Sequence, residues 1–335
     1  MMRAAVLLLA CLFGALPAAA KMELFVYTAL ETDQLKAYTE VFRKTHPDIE
    51  LTFVRDSTGV ITARVLANNP PDADLVFGVA ASSMEIFKER GLLAAYTPAG
   101  FENLAPALSD EKRPPYWIGQ DLTAAVVCYN REEGRKRNIP PPESWKDLAK
   151  PAYKGQVSMP SPISSGTGLF NVQSWIQLFG EDEGWRFMDA LHENITHYTH
   201  SGSKPCNEAG AGEVVAGISF DYRGHEVKMK GAPIDLVFPR EGLGWHIEAS
   251  AILKGSKNVE AARRFMDWVA SREANEAYAR NYAVVAHREV KPAIAYLPAD
   301  LGKRAVEMDL ALAERNRVRI LNEWRKRYAA KMENP

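Results

Sequence analysis

From Glu23 onward, short β-type runs alternate with helical ones, and that alternation narrows the possible folds more than any other feature of the chain. Leu24-Phe25-Val26-Tyr27 reads as a strand, residues from about 32 to 44 as a helix, and Ile49 to Val54 as a second strand. A helix over about 58–68 and a strand Asp74-Leu75-Val76-Phe77 complete a β-α-β-α-β start. Short connections in that order imply a parallel sheet with right-handed crossovers. Leu35, Tyr38, Val41 and Phe42 share one face of the first helix, and their plainest use is core packing.

A second unit of the same kind follows the Pro140-Pro141-Pro142 segment. It reads as a strand near Gln156 to Met159, helices near Ser165 to Phe179 and Glu183 to Asn194, and a strand Val214 to Phe220. A helix near Arg223 to Lys230 then leads to Ile234 to Phe238. Asp121 to Tyr129 and Gly244 to Leu253 look extended, lie at the two ends of this unit, and are the natural crossings between lobes. Helical sequence then returns at Ala261 to Ala270 and, in a long charged amphipathic stretch, near Val306 to Ala330. The expected fold is α/β with two lobes, each a mixed, mostly parallel sheet flanked by helices, and a ligand cleft between them. Lobe 1 is expected over 21–122, lobe 2 over 123–246, with 247–335 returning to lobe 1 and supplying C-terminal helices.

Length and charge agree with this reading. The 335 residues suffice for two domains, and 41 Lys+Arg against 42 Asp+Glu leave a formal charge of -1. No global basic field exists to hold nucleic acid or an anionic membrane, so charge must act locally. Residues 1–20 read as a cleaved secretory signal: Arg3, an apolar run from Ala4 to Leu16, then the small residues Ala18-Ala19-Ala20. That run is shorter than the roughly 20 residues that span a bilayer, which points to an exported, periplasmic protein. Cleavage before Cys11 for lipid anchoring would leave an oddly apolar mature start. Cys128 and Cys206 remain; a disulfide and two packed free thiols are both open.

In open α/β sheets, ligands bind beyond the carboxyl ends of strands, so the junctions between strand and helix are the informative residues. They are Tyr27 to Glu31, Asp56 to Gly59, Gly78 to Ser83, Pro160 to Gly168, Ser201 to Ser203 and Asp221 to Arg223. Four are rich in Ser, Thr and Gly at an expected helix start, where unpaired N–H groups and the helix dipole can hold an anion without Lys or Arg. Each could equally be a simple N-cap. In Ser164-Ser165-Gly166-Thr167-Gly168, however, two glycines cost about 1 kcal/mol each in a helix unless close backbone approach is wanted. Glu31 and Asp221 are carboxylates at strand ends beside Tyr27 and Tyr222, a set able to hold an ammonium, although each acid could also serve its helix start.

Catalytic signatures are missing. There is no Gly-x-Ser-x-Gly elbow, no phosphate loop and no Gly-x-Gly-x-x-Gly after a strand. His192 and His197 stand five apart rather than the four a zinc-protease helix needs, and with His200 they read as surface histidines. Neither an enzyme nor a metal or other cofactor is expected.

An exported two-lobe α/β chain with polar strand ends resembles the type II periplasmic solute-binding proteins of ABC importers, in the cluster of ferric-ion and polyamine receptors. Within it the chain is most similar to the 2-aminoethylphosphonate receptor family. The carrying stretches are Asp56-Ser57-Thr58-Gly59-Val60-Ile61-Thr62-Ala63-Arg64, Ser164-Ser165-Gly166-Thr167-Gly168, Ser201-Gly202-Ser203-Lys204-Pro205-Cys206, Gly217-Ile218-Ser219-Phe220-Asp221-Tyr222-Arg223 and Glu241-Gly242-Leu243-Gly244-Trp245. The resemblance implies a monomeric receptor that captures the aminophosphonate by hinge closure and delivers it to a permease. On the expected split, Ser57, Thr58, Ser164, Ser165 and Thr167 cradle the phosphonate; Glu31, Asp221 and Tyr222 take the amine, near Tyr27; Ser201 and Ser203 serve either end. A ferric receptor would want grouped tyrosines, where this chain has a single Tyr222 after Asp221. A polyamine receptor would want carboxylates at both ends of the cleft. A secreted hydrolase using Ser164 or Ser165 lacks an evident base.

Overall fold

The computed structural model describes residues 21–68, 72–292, 294–298, 300–307 and 310–333, so the expected signal segment lies outside the described residues. The first unit runs β1 (Met22–Thr28), α1 (Thr32–Thr45), β2 (Ile49–Arg55), α2 (Thr58–Ala67), β3 (Leu75–Ala80), α3 (Ala81–Glu89) and a short β4 (Leu93–Ala94). β5 (Ile118–Asn130) then crosses to the second unit: α4 (Arg131–Arg137), β6 (Val157–Pro160), α5 (Gly166–Phe179), α6 (Glu181–Asn194), β7 (Ile195–Thr199) and α7 (Lys204–Ala211). β8 (Ala216–Phe220), α8 (Asp221–Met229) and β9 (Ile234–Val237) finish that unit, and β10 (Trp245–Leu253) crosses back. The helices α9 (Val259–Ala270), α10 (Arg272–Tyr278), α11 (Leu301–Arg304) and α12 (Leu310–Tyr328) close the chain.

The strands follow one path, β2-β1-β3-β10-β5-β8-β6-β7. β1 is parallel to β2 and β3, and β6 is parallel to β7 and β8, as crossover connections require. β10 and β5 run antiparallel in the middle. The first half of β5 pairs with β10, and its second half with β8 and β9, so this one strand belongs to both sheets. All thirteen of its residues are buried.

Each sheet has its own aromatic core. On the first, α1 buries Leu35, Tyr38 and Phe42, as the spacing predicts, with Val41 at the edge. Phe42 meets Phe265 and Trp268 of α9 edge-on at 5.1 and 5.3 Å, which ties the returning C-terminal sequence to the first lobe. On the second, Trp175 of α5 contacts Trp145 and Phe187 at 5.3 and 5.1 Å. The last helix goes the other way, onto α6 and β7: Trp324 packs on Tyr198 at 4.8 Å, and Tyr328 and Arg327 both reach Asp189. Cys128 of β5 and Cys206 of α7 form a disulfide, which resolves the alternative the sequence leaves open. Among the described residues no helix is long and apolar enough to cross a membrane.

Candidate ligand-binding site

The two lobes touch across a cleft. The Gly59 N–H of α2 donates to Ser164 O at 2.8 Å, Ser57 Oγ reaches His200 O at 3.4 Å, and His200 Nε2 lies 3.0 Å from Asp56 Oδ1. Arg223 of α8 reaches back to Asp33 at 3.4 Å and Glu31 at 3.5 Å. Inside this closed rim lie two compartments that share Thr58, Ser165, Gly166 and His246 as walls.

The polar compartment is built where the starts of α2 and α5 face one another. Ser57 and Thr58 come from the first lobe; Ser165, Gly166 and Thr167 come from the second. Residues 201 and 202, ahead of α7, add a fifth hydroxyl and a backbone wall. The glycines pair with close approach, as their cost suggests. A Cβ on Gly166 would stand 3.0 Å from Thr58 Oγ1 and 3.2 Å from a His246 ring carbon, and one on Gly168 would stand 2.5 Å from Pro160 O. Gly202 is as tight, its Cβ position 2.5 Å from Thr167 Oγ1.

Opposite this hydroxyl-lined end, the crossing strands make the floor. β5 and β10 place Thr123 against His246 and Asp121 against Glu248 in register. Thr123, His246 and Glu248 line the compartment. His246 packs edge-on against Phe170 at 5.1 Å, and burial lowers its pKa to about 3, so the imidazole is neutral in ordinary buffers. Burial also drives the neighbouring acids the other way: Asp121 and Glu248 are both raised, as is Asp221, to about 7.

Of the residues singled out from sequence, Glu31, Ser57, Thr58, Ser165, Thr167 and Ser201 line this compartment. The other five stand behind it. Ser164 uses its hydroxyl on His200 O at 2.9 Å, and Ser203 lies 2.8 Å from Ser201 Oγ. Tyr27 donates its hydroxyl to Asp72 within the first lobe. Asp221 is fully buried, its Oδ1 accepting from Thr123 Oγ1 and from the N–H groups of Ala124 and Tyr222. Tyr222 is buried against Tyr282 at 5.8 Å, with its hydroxyl bonded to Asp33.

Glu31 is held between two cations, Arg55 at 2.8 Å and Arg223 at 3.5 Å. Its charge is therefore already compensated. Reading only the strand-to-helix junctions passes over Arg55, the last residue of β2, and over Thr123, His246 and Glu248 within the crossings. The available signal is the polar side chains interrupting otherwise apolar runs, since Asp and Glu are rarely buried without a reason. The three histidines disperse: His192 Nδ1 contacts Tyr198 Oη, His197 pairs with Glu208, and His200 bridges the cleft.

Residues 71–297 match the model of the bacterial extracellular solute-binding protein family. The chain belongs to that family. This solute-binding protein is 31% identical over 261 residues to an uncharacterized protein of Haemophilus influenzae, covering 77% of this chain and 75% of that one. It is 26% identical over 246 residues to a probable ABC transporter periplasmic-binding protein of Sinorhizobium fredii, covering 70% and 66% of the two chains. Among solved structures it is similar to the periplasmic binding protein AfuA of Actinobacillus pleuropneumoniae, described with fructose-6-phosphate bound. The TM-score is 0.83 at 27% identity, over 92% of this chain and 99% of AfuA. The two-lobed periplasmic binding-protein fold follows from that match, and both the family and AfuA are described as binding proteins.

Proposed function

We propose that the protein is the periplasmic substrate-binding component of an ABC importer and that its cleft closes on a small phosphonate zwitterion, 2-aminoethylphosphonate. The observation that carries this reading is the mixed polarity of one compartment: two facing helix starts with their hydroxyls, and the acids Glu31 and Glu248, share its lining. Unpaired N–H groups at helix starts, with Ser57, Thr58, Ser165, Thr167 and Ser201, suit a tetrahedral oxyanion. Arg55 shares the lining, paired with Glu31.

Closure follows from where these groups sit. The cradle is divided between lobes joined by β5 and β10, so a ligand bridging both halves binds the closed form better than the open one. The closed form is what a permease would recognise. Micromolar affinity corresponds to about -8 kcal/mol, within reach of several charge-assisted hydrogen bonds of about 1.5–3 kcal/mol each after ordering costs.

The likeness to AfuA favours a second reading, a sugar phosphate, with the phosphate in the same cradle and the floor carboxylates accepting sugar hydroxyls. A ferric reading gains little, because Tyr222 is buried and bonded to Asp33. Isothermal titration with 2-aminoethylphosphonate, fructose-6-phosphate, inorganic phosphate, spermidine and ferric citrate separates the readings. Tightest binding of the aminophosphonate is expected; tighter binding of the sugar phosphate would hand the cleft to the second reading, and no binding of either would reject both.

A further inference from the structure

The two strands that join the lobes carry a pair of acids at the same register position, Asp121 on β5 and Glu248 on β10. Asp121 is fully buried, and neither of its carboxylate oxygens meets a donor; Glu248, 9% exposed and lining the cleft, also has an oxygen without one. Asp221, at the start of α8, adds a fourth oxygen without a partner. Two ionised carboxylates can only accept, so the contact between Asp121 and Glu248 becomes a hydrogen bond when one proton lies between them.

The groups facing this pair come from every side. Glu31, before α1, is compensated by Arg55 and Arg223. Tyr282, after α10, bonds Glu248 and accepts 2.6 Å from Gln34 Nε2 of α1. Tyr38 and Tyr278 close the far side, both kept neutral by burial. His246 on the same strand is neutral. Arg55, the cation that shares the compartment, lies against Glu31. Glu248 is thus the floor acid that both lines the cleft and has a buried oxygen without a donor.

We propose that Glu248 is the cation subsite of the cleft, and that a ligand ammonium seated on it expels the proton held between Glu248 and Asp121. The carboxyl O–H bond breaks and the proton passes to solvent, while the ammonium keeps its own three protons and donates to the freed carboxylate. Before the exchange the pair carries one negative charge; afterwards two carboxylates and one ammonium carry the same net charge. Burial therefore does not oppose the swap as it would oppose bare ionisation. The proposal rests on the zwitterionic phosphonate reading, and its test is arranged to fail separately from it.

Titrations of 2-aminoethylphosphonate and of amine-free ethylphosphonate at pH 7, each in two buffers of different ionisation enthalpy, read the proton count directly. The amine ligand is expected to release more protons than ethylphosphonate, which corrects for the phosphonate's own equilibrium. Glu248→Gln should abolish that excess and weaken the amine ligand by about 10- to 150-fold, the equivalent of a charge-assisted hydrogen bond, with ethylphosphonate changed by less than about threefold. Asp121→Asn, nearly isosteric, should abolish the excess while the ammonium still binds; it carries the comparison if Glu248→Gln does not fold. Binding of the aminophosphonate without excess proton release, or equal losses for both ligands, overturns the exchange and leaves the phosphonate reading standing. Failure of the aminophosphonate to bind overturns both.

Discussion

His200 Nε2 lies 3.0 Å from Asp56 Oδ1, joining the turn after β7 to the end of β2 across the cleft. Both side chains are partly exposed, so the pair is worth about 0.2–1 kcal/mol, and only the closed form makes it. His200→Ala should therefore weaken ligand binding by about 1.4- to 5-fold through the closing equilibrium alone. Titration calorimetry measures the affinity, and small-angle scattering of the ligand-free protein should show a larger mean radius than wild type. An unchanged affinity would mean that the contact contributes nothing to closure.

Gly59 offers a sharper separation of folding from closing. A Cβ there would stand 2.5 Å from Ile163 O and 2.7 Å from Ser164 O, both in the opposite lobe. Gly59→Ala adds no comparable clash within its own lobe. The variant should fold with an ordinary melting temperature and bind about 5- to 150-fold more weakly, since overpacking costs about 1–3 kcal/mol and here falls on the closed form. Calorimetry with and without ligand checks both halves of this expectation.

The floor acids imply a pH dependence of definite sign. Asp121, Asp221 and Glu248 have folded values above their unfolded ones, chiefly from burial. The folded protein thus holds protons that the unfolded chain has released, and the stability linked to them is lost as pH rises from about 4 through about 7 and above. His246 works oppositely, lost as pH falls from about 6.5 toward 3. Asp121→Asn removes one buried acid whose pKa is raised, so the stability difference between variant and wild type should shift in favour of the variant from pH 5 to pH 8. Thermal melts of the ligand-free proteins across that range read it; a constant difference would contradict the raised values.

The disulfide closes a span of 78 residues and anchors α7 to β5. Serine at Cys128 and Cys206 together should cost about 2–4 kcal/mol of stability. Because residues 201–203 lead directly into α7, affinity for the ligand of the cleft should fall as well. Denaturant melts and titrations of the double variant measure the two effects, and a loss of stability with full affinity would separate the bridge from the cradle.

Much of this architecture is legible in the chain. Alternating runs predict the parallel units, and the extended stretches at 121–129 and 244–253 lie within or nearly over the observed β5 and β10. Helix-start chemistry leads to Ser57, Thr58, Ser165, Thr167 and Ser201, because an N-cap hydroxyl necessarily sits where a helix opens. What eludes a junction rule is direction. Tyr27 is as near a strand end as Glu31, yet its side chain turns away from the cleft to Asp72. Thr123, midway along β5, and His246, near the start of β10, face the cleft through the register between the two strands, which no local pattern states. The cysteine pairing depends on the same kind of distant proximity.

Asp121, Thr123, His246 and Glu248 all belong to the two strands that connect the halves of the molecule. On the proposed closing mechanism, selectivity and stiffness are therefore written in the same two strands. Any substitution that retunes which solute is preferred also alters how readily the jaws swing, so descendants of this receptor acquiring new cargo must adjust their mechanics at the same step.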